Sequence, residues 1–197
     1  MTPFQKACID TWEKVLPEYK IICWDENNSP MDEPYVSFQY KNGNWAFVSD
    51  FVRLYVVYQH GGIYLDTDVE VIRRFDDLLK ERIFFGEESI GRLNSAIFGS
   101  QKRERILEAC MNYMRRRHDL KLSVRLGPEI ITEVYDDKKF PEVKVFPSEY
   151  FYPYNPYRKD AFPKLMYRDI TERTMAIHHW EKTWKMNLLQ RLLRKIF

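Results

Sequence analysis

Two aspartates, Asp66 and Asp68, stand two residues apart in the stretch 61–68, Gly-Gly-Ile-Tyr-Leu-Asp-Thr-Asp. In extended backbone alternate side chains share a face, so both carboxylates point the same way and repel unless a cation joins them. Hard carboxylate oxygens favour Mg²⁺ or Mn²⁺, which commonly also coordinate the phosphates of a substrate. The pair predicts a divalent-cation site that binds a diphosphate. Asp-x-Asp alone is equally compatible with a solvated acidic loop, and that alternative remains.

A second charged pair, Asp50 and Arg53, lies one helical turn apart just upstream. Side chains three residues apart on a helix can converge, and a carboxylate and a guanidinium held together can accept and donate hydrogen bonds to sugar hydroxyls. The alternative is a surface ion pair worth about 0.2–0.5 kcal/mol. Taken alone, the spacing does not decide between the two.

The elements that position these residues are a helix, a glycine turn and a short strand. Apolar side chains at 47, 51, 54, 55 and 58 predict a helix over residues 45–60. The two glycines at 61 and 62 end it, because glycine readily adopts the left-handed conformation. A short strand at 63–65 then delivers Asp66 at its carboxyl end.

Helices and strands alternate along the rest of the chain. We predict strands at 19–24, 63–65, 69–75, 84–85, 96–98, 143–146 and 175–178, and helices at 4–16, 45–60, 102–117, from 127 onward, and at 184–197. Such alternation predicts an α/β fold with a mixed, mainly parallel sheet flanked by helices. In such sheets ligands bind at the carboxyl ends of strands, where Asp66 is expected.

Composition limits the class of protein. The 197 residues suit one catalytic domain over 1–197, and a formal net charge of +2 speaks against bulk binding to nucleic acid. Three widely spaced cysteines without metal-site spacing predict reduced thiols in a cytoplasmic protein. No stretch is apolar over the length of a bilayer and no secretory signal is recognised, so we expect a cytoplasmic location.

The predicted last helix, about 184–197, has apolar residues along one side and Lys and Arg available to the other. The simplest interpretation is a helix docked on the domain. The sharper hypothesis is an interfacial helix that brings the protein to a lipid-linked oligosaccharide acceptor at the inner membrane surface.

Two runs together resemble the signature of glycosyltransferase family 32: residues 46–55, Ala-Phe-Val-Ser-Asp-Phe-Val-Arg-Leu-Tyr, and the glycine-to-aspartate stretch 61–69. That family contains bacterial capsular and lipopolysaccharide sugar transferases and is related to Golgi α-mannosyl- and α-1,4-galactosyltransferases. The resemblance implies a GT-A type (Rossmann-like) fold and retaining transfer of a hexose from a UDP- or GDP-sugar to a carbohydrate acceptor. It also implies Mn²⁺ or Mg²⁺ as cofactor and a role in cell-surface polysaccharide or lipopolysaccharide synthesis.

The resemblance also implies roles for the signature residues. Asp50 and Arg53 hold the donor sugar, Asp66 and Asp68 handle ribose, diphosphate and metal, and Tyr64 joins the nucleotide-sugar site.

Fainter similarity extends the predicted site. Asn94 is the candidate for contacting the reacting centre, with a strand-capping role as the alternative, and Glu88 is a further active-site candidate. Gly127 and Pro128 resemble the family's helix start, whose N–H groups can face an acceptor or a phosphate.

A last segment resembles the family's terminal His…Ser-Trp element. It implies that Thr183, in place of the usual Ser, and Trp184 close over the diphosphate and metal. His178 is a candidate metal neighbour, and a core histidine is the alternative.

One departure from the family and two other functions remain open. Family members usually begin with a strand of the type Pro-Lys-Ile-Ile-His and a Trp-containing loop that lines the base pocket. Residues 1–3 of this sequence stand where that segment would have just ended. We therefore expect either a chain start set too late or an incomplete nucleotide pocket. The alternatives are a non-catalytic member that binds carbohydrate or a partner, and a haloacid-dehalogenase-like phosphatase with the first aspartate as nucleophile.

Overall fold

In the computed structural model, residues 1–158 and 162–181 are described. Five helices and six strands follow in the order α1 (Pro3–Val15), α2 (Pro34–Lys41), α3 (Trp45–His60), β1 (Gly62–Leu65), β2 (Val69–Val71), β3 (Ile83–Ser89), β4 (Arg92–Ser100), α4 (Arg105–Asp119), α5 (Gly127–Val134), β5 (Val143–Phe146) and β6 (Ala176–His178). The α/β class predicted from the sequence is confirmed.

The central sheet has four strands in the order β1-β4-β3-β5. β4 runs antiparallel to both β1 and β3, and only β3 and β5 pair in parallel. A separate antiparallel pair joins β2 to β6. The sheet is therefore mixed, as predicted, but the prediction of mainly parallel pairing is wrong for the described residues. The reason is local: only Ile90 and Gly91 separate β3 from β4, and so short a connection can join only antiparallel strands.

One further prediction about local structure is wrong near the amino terminus, and one helix there was not predicted. Residues 19–24 form no strand, and the side chains of Ile21 and Ile22 are about half exposed. Among the described residues this segment pairs with no strand, and a strand needs a neighbour for its backbone hydrogen bonds. Helix α2, which begins at Pro34, was not predicted because its eight residues show weak periodicity.

Two hydrophobic cores lie on the two faces of the central sheet. Neighbouring residues of β3 and β4 point to opposite faces, so Phe85 and Phe98 belong to one core while Phe84 and Ile97 belong to the other. Helices α3, α4 and α5 cover the first face. Helix α1, β2 and β6 contribute to the second. The sheet edge that carries the aspartates is thus held from both sides.

The turn between α3 and β1 depends on glycine. Gly61 and Gly62 both have positive φ angles, 68° and 104°. A Cβ on Gly61 would also lie 3.2 Å from the carbonyl oxygen of Ser100. The glycines let the chain reverse closely enough for β1 to pair with β4 and present Asp66 at its end.

The predicted C-terminal helix 184–197, with the membrane contact assigned to it, lies outside the described residues. Within the described part, no helix combines the length and apolar character needed to cross a bilayer.

Candidate active site

The two aspartates of the signature lie in a tight turn between β1 and β2. The N–H of Val69 donates to the carbonyl of Asp66 at 3.0 Å, and the N–H of Asp66 donates to the carbonyl of Ala96 at 2.8 Å. The predicted convergence of Asp66 and Asp68 is therefore present, but a turn produces it rather than extended backbone.

His178 of β6 completes a cluster with Asp66 and Asp68. Ligand atoms of the three side chains all lie within 4.8 Å of one another. The pairing of β2 with β6 sets His178 opposite Val69, and its Nε2 lies 3.4 Å from Oδ1 of Asp68. Two hydrogen-bond partners of β2, Trp12 and Thr11 on α1, anchor the strand from behind.

The segment after His178 wraps around Asp68. The N–H of Glu181 donates to Oδ2 of Asp68 at 2.7 Å, and the N–H of His179 donates to the backbone carbonyl of Asp68 at 3.0 Å. Burial raises the pKa of Asp68, but the contact with His178 and the Glu181 N–H outweigh burial and hold that pKa below its ordinary value. Asp68 is therefore kept as a carboxylate.

The donor set of this cluster fits a divalent cation. Two carboxylates offer hard oxygen ligands, and a neutral imidazole is a common partner for transition ions such as Mn²⁺. His178 is buried, and within the described residues its Nδ1 has no hydrogen-bond partner. Buried ring nitrogens rarely lack a hydrogen-bond partner. A neutral imidazole beside two carboxylates can offer a lone pair to a cation.

Arg53 links the helix to the cluster. Its Nη1 lies 3.2 Å from Oδ1 of Asp66 and donates to the carbonyl of Ser95 at 3.1 Å, while Nη2 donates to Oγ of Ser49 at 3.0 Å. The guanidinium also lies over the Tyr64 ring, 4.8 Å from its centroid, and the Tyr64 hydroxyl donates to Asp66 at 2.8 Å. Burial lowers the pKa of Arg53, but Asp66, Tyr64 and Asp50 together raise it, so the cation persists.

Asp50 is fixed by the start of α5 as well as by Arg53. Its Oδ2 accepts from the N–H of Gly127 at 2.9 Å, and its Oδ1 lies 3.4 Å from Nη2 of Arg53. Burial raises the pKa of Asp50 to about 6, against the opposing effects of Arg53 and Gly127. The Gly127 N–H was expected to face an acceptor or a phosphate; it bonds a protein carboxylate instead.

Asn94 and Glu88 lie together on the β3–β4 hairpin, and both are buried. Nδ2 of Asn94 donates to Glu88 at 2.5 Å, and Oδ1 of Asn94 accepts from the N–H of Ala96 at 2.8 Å. Glu88 also pairs with Arg92. The direct contact of Asn94 with the reacting centre stays a prediction.

Two predicted site residues, Thr183 and Trp184, lie outside the described residues. The sequence missed the contributions of Ser95, Ser49 and the Glu181 backbone. Ser95 and the Glu181 backbone act through contacts between segments far apart in the sequence. Ser49 instead accepts from Arg53, four residues later on the same helix, and its position beside Asp50 inside the signature was a usable signal.

Comparison with known families decides the class of protein. The model described as "Glycosyltransferase sugar-binding region containing DXD motif" matches residues 4–85, and that described as "Alpha 1,4-glycosyltransferase conserved region" matches residues 99–193. The chain belongs to a family of the glycosyltransferase family 32 type. The Asp66–Asp68 pair lies within the part of the chain matched by the model described as containing a DXD motif, and the matches give no support to a phosphatase.

Several curated relatives are eukaryotic and are named for glycolipids. Lactosylceramide 4-alpha-galactosyltransferase of Pongo pygmaeus is 26% identical over 79% of this chain and 77% of its own length. The Homo sapiens enzyme of the same name is 26% identical over the same share of this chain but only 48% of its own length. Inositol phosphoceramide mannosyltransferase 3 of Schizosaccharomyces pombe is 30% identical over 50% of this chain and 28% of its own length. The chain spans about half the length of the human relative and a smaller share, 28%, of the length of the yeast relative.

A solved structure supports the fold. The chain is similar to the PaToxG glycosyltransferase with a TM-score of 0.53 and 20% identity, over 72% of this chain and 64% of that one. This similarity, with the mixed sheet and its helices, is consistent with the predicted GT-A type fold. The predicted link to bacterial capsular polysaccharide or lipopolysaccharide receives no support from these relatives.

Proposed function

We propose that this chain is a retaining, metal-dependent hexosyltransferase that uses a UDP- or GDP-sugar and a carbohydrate acceptor. The observation that carries the proposal is the contact between the Arg53 guanidinium and Asp66, at 3.2 Å, beside the Asp66–Asp68–His178 cluster. Through this contact the proposed sugar-binding pair, Arg53 and Asp50, is joined to the proposed diphosphate-binding cluster in one site.

The cluster supplies the diphosphate end of the site. Asp66, Asp68 and His178 would hold Mn²⁺ or Mg²⁺, which when bound neutralises the charge that develops on the departing diphosphate. Asp68 is held in place by the N–H groups of His179 and Glu181. The resemblance adds Thr183 and Trp184 as groups that close over the diphosphate.

Asp50 and Arg53 orient the donor sugar. The buried Asp50 carboxylate accepts hydrogen bonds from sugar hydroxyls, and the Arg53 guanidinium donates to them. Their own bonds to Gly127, Ser49 and Ser95 fix both side chains before the sugar arrives. Such preorganisation favours the reactive geometry, because these two side chains need little further ordering when the sugar binds.

The acceptor proposed here is a sugar hydroxyl carried on a glycolipid or an oligosaccharide. The names of the galactosyl- and mannosyltransferase relatives favour a glycolipid head group. Cell-surface polysaccharide remains the prediction that the sequence resemblance supplied. We further propose a cytoplasmic location, with membrane contact through residues 184–197.

The test is release of nucleotide from UDP-galactose, UDP-glucose and GDP-mannose with Mn²⁺, using lactose as acceptor, in the native protein and in Asp66→Ala and Asp68→Ala. We expect both variants to lose at least about 10³-fold of the metal-dependent turnover, because each removes a ligand of the cluster. Asp77→Ala, which removes an exposed aspartate whose ion pair among the described residues is with Lys80, is the matched control and should retain full turnover.

Turnover that survives both cluster substitutions, or a native protein that releases no nucleotide from any of these donors, contradicts the proposal. The anomeric configuration of the product, read by proton NMR, tests retention separately.

A further inference from the structure

Trp45 presents an aromatic face to solvent at the beginning of α3. Of the tryptophans in the described part of the chain, it alone is mostly exposed, with 55% of its surface accessible. Its ring meets Tyr40 of α2 in a T-shaped contact, with 4.8 Å between the ring centroids and 87° between the ring planes. Such a contact occupies at most one face of the indole, so Tyr40 holds the ring while another face stays free.

The position of Trp45 connects it to the candidate active site. Trp45, Ser49 and Arg53 follow at intervals of four residues, so each lies one turn from the next on the same side of α3, about 6 Å apart along its axis. The Arg53 side chain points back toward Ser49, donating to its Oγ at 3.0 Å, and also reaches Asp66 at 3.2 Å.

These groups form a row with a definite chemical order. The row begins at the Asp66–Asp68–His178 cluster and continues through the Arg53 guanidinium. It then reaches the half-buried Ser49 hydroxyl and ends at the exposed Trp45 indole. A nucleoside diphosphate offers complementary groups in the same order: a diphosphate, ribose hydroxyls and a flat base. An acceptor sugar can pack its C–H face on an indole, but it has no anionic end for the cluster and so matches only one end of the row.

We propose that Trp45, held by Tyr40, is the stacking platform for the nucleobase of the donor, with the Ser49 hydroxyl facing the ribose. The inference rests on the proposed function and names the part of the protein that binds the base. It places a base contact on α2 and α3, in addition to the amino-terminal strand to which the family resemblance assigns the base pocket. Stacking tolerates different bases, so the platform serves uracil and guanine alike.

The experiment is calorimetric titration of the full chain with three ligands in the presence of Mn²⁺: UDP, GDP and inorganic pyrophosphate, which lacks both ribose and base. The proteins are the native chain, Trp45→Ala and Trp45→Phe. Tyr167→Ala is the matched control, because Tyr167 is a 92% exposed aromatic residue outside this row.

We expect Trp45→Ala to bind UDP and GDP roughly 5- to 150-fold more weakly, the range for the loss of one stacked base. Its affinity for pyrophosphate should stay unchanged, since the diphosphate cluster is intact. Trp45→Phe should recover most of the nucleotide affinity, because it restores an aromatic face, and Tyr167→Ala should match the native chain.

Three results overturn the platform. Equal nucleotide affinity in Trp45→Ala and the native chain removes it while leaving the proposed function in place. An equal loss for pyrophosphate and nucleotides shows that Trp45 acts through the fold rather than through the base. A native chain that binds none of the three ligands with Mn²⁺ removes the proposed function and the platform together.

Discussion

Asp50, which we propose binds the donor sugar, is buried at an electrostatic cost. Burial raises its pKa to about 6, although Arg53 and the Gly127 N–H favour its carboxylate form. At neutral pH it is ionised and can accept hydrogen bonds from a sugar. Its type and its spacing from Arg53 were readable from the sequence, but its burial and its bond to Gly127 depend on a segment 77 residues away.

The elevated pKa of Asp50 predicts that activity and stability respond to pH in opposite directions. As the pH falls through about 6, protonation removes the acceptor, so kcat/KM for the donor should fall. The folded-state pKa exceeds the unfolded value, so the folded protein binds this proton more tightly. The contribution of Asp50 to the free energy of unfolding therefore increases as the pH falls from about 6 toward 4.

Asp50→Asn supplies the comparison, because an amide does not titrate. We expect low kcat/KM with no acid limb near pH 6, and a native-minus-variant difference in unfolding free energy that changes across that range. A native acid limb that persists unchanged in Asp50→Asn would assign it to another group.

At the scale of elements, the approach of α5 to α3 and β4 determines the geometry of the proposed sugar-binding pair, Asp50 and Arg53. A Cβ on Gly127 would lie 2.5 Å from Oγ of Ser95 and 2.7 Å from Oδ1 of Asp50. The carbonyl oxygen of Ser95 also accepts a hydrogen bond from Nη1 of Arg53. The sequence predicted the start of α5 from its Gly-Pro pair, but not what that start contacts, because a packing distance leaves no periodic pattern.

Gly127→Ala should therefore reduce catalysis as well as stability. The added methyl group displaces α5 or Asp50, and overpacking of this kind costs about 1–3 kcal/mol of stability. We expect kcat/KM for the donor to fall at least about tenfold, measured beside urea unfolding, because misplacement of Asp50 weakens the sugar contacts.

Ser95→Ala tests the cause of that loss. The double variant Ser95→Ala/Gly127→Ala removes the nearer of the two contacts, so it should recover part of the stability lost in Gly127→Ala. A double variant that loses the sum of the two single losses would show that contact with Ser95 is not the reason.

At the scale of the whole molecule, the cluster joins segments far apart in sequence. Asp66 and Asp68 follow the edge strand of the central sheet, whereas His178 lies on β6, more than a hundred residues later. The α/β class and most elements were predictable from hydrophobic periodicity. Strand direction was not, since it depends on the short β3–β4 connection, and neither was the absence of a strand at 19–24, which depends on pairing.

A cation held by these three residues would join the distant segments and should therefore stabilise the native state. Ligand at about 100 times its Kd adds about 2.7 kcal/mol, which for a protein of this size corresponds to a rise in Tm of about 5–10 °C. We expect Mn²⁺ with UDP to raise the Tm of the native chain, measured by differential scanning calorimetry. The same addition should raise the Tm of Asp68→Ala by about half as much or less, and an equal rise in both would place the stabilising ion elsewhere.

The most direct test of the metal-dependent transferase is Mn²⁺ binding itself, followed by electron paramagnetic resonance of the free ion in the presence of UDP. The predicted result is one Mn²⁺ per native chain and per Asp77→Ala control, with affinity at least about tenfold weaker in Asp68→Ala and in His178→Ala. Mn²⁺ binding of equal affinity in the native chain and in Asp68→Ala would contradict the assignment of Asp66, Asp68 and His178 as the cation site.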